Sequence, residues 1–144
     1  MLLDDYTHFV WTFPLRHKSD VAKHIMSFHA YATTQFSSPI RAFQTDNGRE
    51  FDNSVLRKFY SEHGIVLRLS CPYTSQQNGK AERVLRTLNK GVRALLLHAA
   101  LPPIFWVEAL QTSTYLHNRK PCKPRSLATP YSILYHTDLD YKSL

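Results

Sequence analysis

The sequence predicts an α/β fold in which a mixed sheet is flanked by helices. The first 70 residues alternate between strand and helix patterns, an order typical of sheets that contain parallel strands. A long amphipathic pattern follows Gly79, and its apolar side is expected to pack on that sheet. The length of 144 residues, with 43% hydrophobic residues, is enough for one ordinary domain with a sizeable core.

Three strands and two helices are expected before residue 70. The strands are the β-branched and aromatic runs at residues 8–15, 40–45 and 65–69. The first helix is opened by Ser19, and the second covers residues 53–63, with Asn53 as its cap and Gly64 as its stop. The second strand ends at Asp46-Asn47-Gly48, a strong turn signal, which places Asp46 at the carboxyl end of a strand.

The rest of the chain is expected to be mainly helical. Residues 70–79 are polar and indicate a mobile loop, and the long helix begins directly after it. The apolar side of this helix is formed by Ala81, Val84, Leu85, Leu88, Val92, Leu95 and Leu96, and its outward side by Glu82, Arg86, Asn89 and Arg93. A further helix over residues 104–118 contains residues of largely buried types, namely Phe105, Trp106, Ala109, Leu110, Thr114 and Leu116.

The chain is basic and shows no sign of export. Its 18 Lys and Arg against 11 Asp and Glu give a net charge of +7, which fits a polyanionic partner and also fits simple solubility. No apolar run reaches the roughly 18 to 20 residues that span a bilayer, and the start lacks the basic residues of a signal peptide. Cys71 and Cys122 are too few and too far apart for a disulfide framework, so we expect reduced thiols in a nuclear or cytoplasmic setting.

Two carboxylates are the candidates for chemistry. Asp46 lies at a strand end and Glu82 in the first turn of the long helix, with 35 residues between them. They converge if the helix packs across the sheet as its apolar side demands. Carboxylate oxygens are the ligands that Mg²⁺ prefers, and two such metals about 3.5 to 4 Å apart activate both oxygens of a phosphoryl transfer. The pair therefore predicts a metal-dependent phosphoryl-transfer site.

Each of these features also has a simpler explanation. Asp46-Asn47-Gly48 by itself is a common way to end a strand, and Glu82 by itself is favoured at a helix start by the helix dipole. The cations of the long helix fit a solvated face as well as phosphate contacts. The eight histidines show no metal-ligand spacing, so we expect surface or core residues there, and Trp11 and Trp106 are expected in the core.

Successive blocks of the chain resemble, in order, the integrase core of copia-type retrotransposons, which are DDE polynucleotidyl transferases with an RNase H-like fold. The blocks are LLDDYTHFVWTFPLRHKSD, TDNGREF, PYTSQQNGKAER, LPPIFWVEAL, YLHNRKP and TPYSIL. The resemblance implies that Asp46 and Glu82 are the second and third catalytic acids and bind Mg²⁺ or Mn²⁺. It also implies removal of terminal nucleotides from DNA, strand transfer by a DNA 3′-hydroxyl onto target DNA, and dimerisation.

The resemblance also indicates which residues meet DNA. It places the loop before the long helix over the active site, where side-chain amides reach DNA, and the neighbouring cations are candidates for phosphate contacts. The expected DNA-binding residues are Asn47, Gln76, Gln77, Asn78, Lys80, Arg83, Arg86 and Arg93.

The chain departs from the family pattern at its start. The family's first acid lies on the strand before the one that begins near Met1, and Asp4 and Asp5 match a block that the family does not use for metal. We therefore expect a fold truncated at its N-terminal strand, an incomplete triad, weak or absent metal binding and no catalysis by this chain alone. Residues 1–120 are expected to form the incomplete core, and residues 121–144 an irregular extension.

Two alternatives to an integrase core stay open at this point. The first is a relic that binds nucleic acid without catalysis. The second is a protein-interaction or dimerisation module, suggested by the aromatic helix over residues 104–118. DNA affinity that falls steeply with added salt separates the second from the others.

Overall fold

The computed structural model describes residues 1–70, 79–122 and 127–139. They form two compact units, one made of Pro14–Lys80 and the other of Met1–Phe13 with Ala81–Leu144. The elements in chain order are β1 Leu2–Leu3, β2 Val10–Trp11, α1 Val21–Phe36, β3 Ala42–Thr45, α2 Ser54–Glu62, β4 Val66–Leu69, α3 Gly79–His98, α4 Trp106–Arg119 and α5 Pro130–Tyr135. No helix in the described residues combines the length and the apolar character that crossing a bilayer needs.

The unit Pro14–Lys80 contains the predicted pair of parallel strands. β3 and β4 pair in parallel, with Ala42 opposite Val66 and Thr45 opposite Leu69, and α2 connects them. α2 begins as predicted, because the side chain of Asn53 accepts a hydrogen bond from Leu56 N at 3.0 Å. It stops before Gly64, whose φ of +66° lies in the left-handed region that favours glycine. The prediction of a parallel strand, helix, strand unit is confirmed.

The core of this unit lies between α1, α2 and the two strands. Its buried side chains are Val21, Ile25, Leu56, Tyr60 and Ile65. Leu56 is fully buried, and burial raises the pKa of the Tyr60 phenol to about 12, with Asp52 adding to the shift.

The start of α1 differs from the prediction. Residues Lys18–Asp20 form a 3₁₀ turn, and the carboxylate of Asp20, not the hydroxyl of Ser19, accepts from a backbone amide, that of His17, at 3.2 Å.

His29 is an ionisable group inside this core. Its side chain is 8% exposed, and its Nε2 has no hydrogen-bond partner among the described residues. The ring packs edge-on against Phe59, with 5.4 Å between centroids, and against His63 at 4.7 Å. Burial lowers the pKa of His29 below its ordinary 6.5, and the neighbouring His63 lowers it further. The neutral form is therefore the one that the folded state favours.

This burial predicts a pH-dependent stability. Because the pKa of His29 is lower in the folded state than in the unfolded state, the unfolded state binds more protons below 6.5. We expect the free energy of unfolding to fall as the pH decreases from 7.5 to 5.5, as measured by urea denaturation. His29→Leu should flatten this dependence, whereas His98→Leu, at an exposed site, should not. An unchanged slope in His29→Leu would show that other groups cause the pH dependence.

The second unit begins with a short β-hairpin, whose first strand, Leu2–Leu3, was not predicted. β1 and β2 are antiparallel, with Leu2 opposite Trp11, and the carboxylate of Asp4 closes the turn by accepting from Thr7 N at 2.7 Å and Thr7 Oγ1 at 2.6 Å. The strand expected over residues 8–15 contains Val10 and Trp11 alone, because the chain is still turning at His8, whose φ is 64°. Asp4 therefore has a structural role in the turn.

Asn118 satisfies the open edge of β2. Asp4 N donates to Phe9 O at 2.9 Å, so the amide and carbonyl of the next residue, Val10, face away from β1. The side-chain Oδ1 of Asn118 accepts from Val10 N at 2.9 Å, and its Nδ2 donates to Val10 O at 2.9 Å. Asn118 is 3% exposed. Its amide thus takes the place of a neighbouring strand and joins α4 to the hairpin.

Small residues bring α3 and α4 close together. A Cβ added to Gly91 would lie 2.2 Å from Ser113 Oγ, which donates to Leu88 O at 3.1 Å. The buried residues of α4 are accordingly small or polar, namely Ala109, Ser113, Thr114 and Asn118. The prediction that Phe105, Trp106 and Leu116 are buried is wrong, and Trp106 is 46% exposed. The close approach selects small side chains for the packed face and leaves the large ones outside.

Two further details differ from the sequence analysis. Leu88 is fully buried on the apolar side of α3, but Leu85 on the same side is exposed. Residues Pro130–Tyr135, within the segment expected to be irregular, form α5. Thr129 caps this helix by accepting from Ser132 N at 3.0 Å, and Pro130 occupies its first turn, where a missing amide hydrogen costs nothing.

Candidate functional site

Asp46 directly follows β3, as the sequence predicted. β3 ends at Thr45, and the side chain of Asp46 is exposed. Its Oδ1 accepts from Gly48 N at 3.2 Å and from Thr45 Oγ1 at 3.4 Å. Both hydrogen bonds that the described residues give this carboxylate end on Oδ1. The strand end thus presents one fixed carboxylate to solvent.

The turn between Asp46 and α2 is held by its own hydrogen bonds. Gly48 O accepts from Phe51 N at 3.0 Å and from Asp52 N at 3.3 Å. Asn53 Nδ2 donates to Glu50 O at 3.1 Å while its Oδ1 caps α2. Arg57 donates from Nη2 to Asp52 Oδ2 at 2.8 Å, and this hydrogen bonding holds the pKa of Asp52 below its usual range. Asp46 therefore projects from a firmly connected turn, which suits a residue that must hold a ligand in place.

Glu50 is a second acid in this turn that the sequence analysis did not single out. Its side chain is partly buried, with 24% exposed, and its Oε1 lies 3.7 Å from Lys18 Nζ. A shallow cleft of about 340 Å³ beside it is lined by Lys18, Ser19, Arg49, Glu50 and Asn53. The only signal for Glu50 in the sequence was its place in the TDNGREF block, because the contact with Lys18 joins residues 32 positions apart.

The start of α3 carries the other predicted acid. Glu82 is exposed in the first turn of α3, where the helix dipole favours a negative charge. Arg83, Arg86 and Arg93 are exposed along the same helix, as is Lys80. The outward side predicted for α3, formed by Glu82, Arg86, Asn89 and Arg93, is confirmed, since all four side chains are exposed. One face of α3 is thus polar and rich in arginine.

The predicted site residues are divided between the two units. Asp46, Asn47 and Lys80 belong to one, and Glu82 with the three arginines belongs to the other, so the convergence of Asp46 and Glu82 stays a prediction. Gln76, Gln77 and Asn78 lie outside the described residues. Within residues 1–70, 79–122 and 127–139 no group of three or more His, Cys, Asp or Glu side chains is arranged to hold a metal ion. Asp46 and Glu82 each carry a carboxylate, and carboxylate oxygen is the ligand type that Mg²⁺ prefers.

Comparison with known proteins identifies the family. The family described as the integrase core domain matches residues 1–75, and the chain belongs to this family. A retrovirus-related Pol polyprotein from transposon TNT 1-94 of Nicotiana tabacum is 34% identical over 142 residues, which cover 99% of this chain and 11% of that protein. The Pol polyprotein from transposon RE1 of Arabidopsis thaliana is 33% identical over the whole chain, which is 10% of its length. The chain thus spans about a tenth of the curated relatives it matches.

Solved structures agree on the fold. The HTLV-2 integrase catalytic core domain, in complex with magnesium and in a trimeric form, has a TM-score of 0.69 and 19% identity, over 92% of this chain and 80% of that one. The BIV integrase catalytic core domain has a TM-score of 0.66 and 21% identity, over 93% of this chain and 82% of that one. A chain in the structure of the simian T-cell lymphotropic virus intasome in complex with PP2A regulatory subunit B56 gamma has a TM-score of 0.71 and 19% identity, over 94% of this chain and 47% of that one. The predicted RNase H-like α/β fold is confirmed.

Proposed function

We propose that the chain is the integrase core segment of a retrotransposon Pol polyprotein and takes part in the integration of DNA. Family membership over residues 1–75 and the identity with plant Pol polyproteins along the whole chain support this function. The observation that carries it is the exposed Asp46 carboxylate at the end of β3, fixed by Gly48 N and by the turn into α2. A parallel strand that ends in such an acid is a suitable support for a metal-dependent site.

Asp46 and Glu82 are proposed as the second and third acids of the catalytic set, with Mg²⁺ or Mn²⁺ as the cofactor. The donor chemistry fits, because both groups are exposed carboxylates. When bound, the metal supplies Lewis-acid activation of the attacking oxygen and of the DNA phosphate. Asp46 would supply one ligand from the turn after β3, and Glu82 would supply another from α3. The HTLV-2 core, whose solved structure contains magnesium, supports the same cofactor here.

The arginine face of α3 is proposed to bind the DNA backbone. Arg86 and Arg93 are exposed and share the outward side of the helix with Glu82, so phosphates held there would lie beside one of the proposed catalytic acids. The net charge of +7 favours the same polyanionic partner. We also propose that the chain assembles with further copies of itself, as the trimeric form of the HTLV-2 core domain does.

Salt-dependent DNA binding tests this function. We expect a fluorescently labelled DNA duplex to bind with an affinity that falls steeply between about 50 and 200 mM salt. Arg86→Ala combined with Arg93→Ala should weaken binding at low salt and make the slope of log affinity against log salt shallower by about two, since each phosphate contact contributes about one.

The matched control removes two exposed lysines of the other unit. Lys23→Ala combined with Lys58→Ala changes the net charge equally but leaves the face of α3 intact. It should reduce the slope far less than the arginine pair does. Equal slopes for the two double variants would show that net charge, and not the arginine face of α3, determines the salt dependence. Absence of DNA binding by the unaltered chain would contradict the proposed function.

A further inference from the structure

Gly48 is the point at which two carboxylates approach the backbone. A Cβ built on Gly48 would lie 3.1 Å from Asp46 Oδ1 and 2.9 Å from Glu50 Oε2. Both acids therefore occupy the space that a side chain at position 48 would need. The backbone of Gly48 does not require glycine, because in this chain the glycine with positive φ is Gly64. The space for a side chain at this position is limited instead by the Asp46 and Glu50 carboxylates, which would have to shift to admit a methyl group.

Glu50 is held in this place from two sides. Its backbone carbonyl accepts from Asn53 Nδ2 at 3.1 Å, which ties it to the start of α2. Its Oε2 approaches the position that a Cβ on Gly48 would take, and its Oε1 lies 3.7 Å from Lys18 Nζ. Lys18 is highly exposed and the ion pair is loose, so its contribution to stability is small. The ion pair instead orients the Glu50 carboxylate and offsets part of its negative charge.

We propose that Glu50 is a positioning residue for Asp46, an inference that rests on the proposed metal-binding role of Asp46. Glu50 acts through Asp46 in two ways and does not itself bind the metal. Its carboxylate lies on the same side of Gly48 as that of Asp46, because both approach the position that a Cβ there would take, and so it narrows the space open to the Asp46 side chain. Its negative charge, a few ångströms from Asp46, raises the attraction of that carboxylate for a divalent cation.

The two effects predict different consequences for three substitutions. Glu50→Gln keeps the shape and removes the charge, so it isolates the electrostatic effect. Lys18→Gln removes the cation that partly balances Glu50, so it should act in the opposite direction. Gly48→Ala places a methyl group against both carboxylates and should disturb the position of Asp46 without any change of charge.

The test is a titration of the whole chain with Mn²⁺ alone, followed by electron paramagnetic resonance of the free ion. We expect Glu50→Gln to weaken Mn²⁺ binding by about 3- to 10-fold at low salt, with an unchanged melting temperature by circular dichroism. The ratio between the unaltered chain and Glu50→Gln should shrink as salt increases, because salt screens exposed charges. Lys18→Gln should strengthen binding, and Gly48→Ala should weaken it. A merely structural role for Glu50 would not produce a salt-dependent ratio.

Asp46→Asn separates failure of this inference from failure of the proposed function. Loss of Mn²⁺ binding in Asp46→Asn with unchanged binding in Glu50→Gln would overturn the positioning role and leave the proposed function intact. Unchanged binding in Asp46→Asn, or no binding by the unaltered chain, would overturn the metal role of Asp46 and the inference with it. A salt-independent loss in Glu50→Gln accompanied by a lower melting temperature would also overturn it.

Discussion

Asn118→Ala is expected to lower the free energy of unfolding by about 2 to 4 kcal/mol, as measured by urea denaturation followed by circular dichroism. The side-chain amide of Asn118 pairs with both backbone groups of Val10, at 2.9 Å each, and both residues are buried. Truncation leaves the amide and carbonyl of Val10 without their partners in a buried place. The effect is large because the lost groups are desolvated and water does not replace them.

Two further variants identify the cause. Asn118→Asp keeps an acceptor for Val10 N but turns a second oxygen towards Val10 O, so it should be at least as destabilising as the alanine variant. Asn89→Ala, on the exposed side of α3, should change the free energy of unfolding by less than about 0.5 kcal/mol. If Asn118→Ala were as mild as Asn89→Ala, the amide would not be a substitute for a neighbouring strand.

Asp46→Asn is expected to lower the affinity for Mn²⁺ by at least about 10-fold, because a neutral amide replaces a charged metal ligand. The free energy of unfolding should hardly change, since the side-chain oxygen of asparagine still accepts from Gly48 N. Calorimetric titration with Mn²⁺ and urea denaturation measure the two quantities separately. Asp138→Asn, which alters an exposed carboxylate of the other unit, should leave the affinity as it was.

A double substitution tests whether Asp46 and Glu82 share one site. If they bind the same metal, Glu82→Gln should weaken Mn²⁺ binding alone, and adding it to Asp46→Asn should have less than its separate effect. Additive effects would indicate independent sites and would contradict the proposed catalytic pair. The experiment therefore tests the convergence of Asp46 and Glu82, which was predicted from the expected packing of the long helix on the sheet.

Features that depend on neighbouring residues in the sequence were predicted well. Asn53 and Gly64 define the ends of α2 because capping and left-handed φ are properties of single positions. The position of Asp46 after β3 follows from a turn signal of three consecutive residues. The exposed side of α3 follows from helical periodicity. The residue patterns alone left the function open, and the resemblance to integrase cores indicated DNA integration.

Features that depend on contacts between distant residues were missed or predicted wrongly. Trp106 was expected in the core by its size, but the close approach of α3 at Gly91 gives the packed face of α4 to small side chains. Glu50 was passed over because its partner Lys18 lies in a different element. Asn118 was overlooked for the same reason, since its contact with Val10 spans 108 positions. None of these contacts leaves a periodic or local signal.

By itself, the sequence determined the order of the elements from β2 to α4, the ends of α2, the exposed face of α3 and the placing of Asp46 at the end of a strand. These follow from backbone and side-chain preferences that act over a few residues. Tertiary structure alone decided that an asparagine closes the edge of β2, and that Glu50 lies beside Asp46 across a glycine. The reason is physical: which polar groups are buried, and which carboxylates meet, is settled only when distant segments pack together.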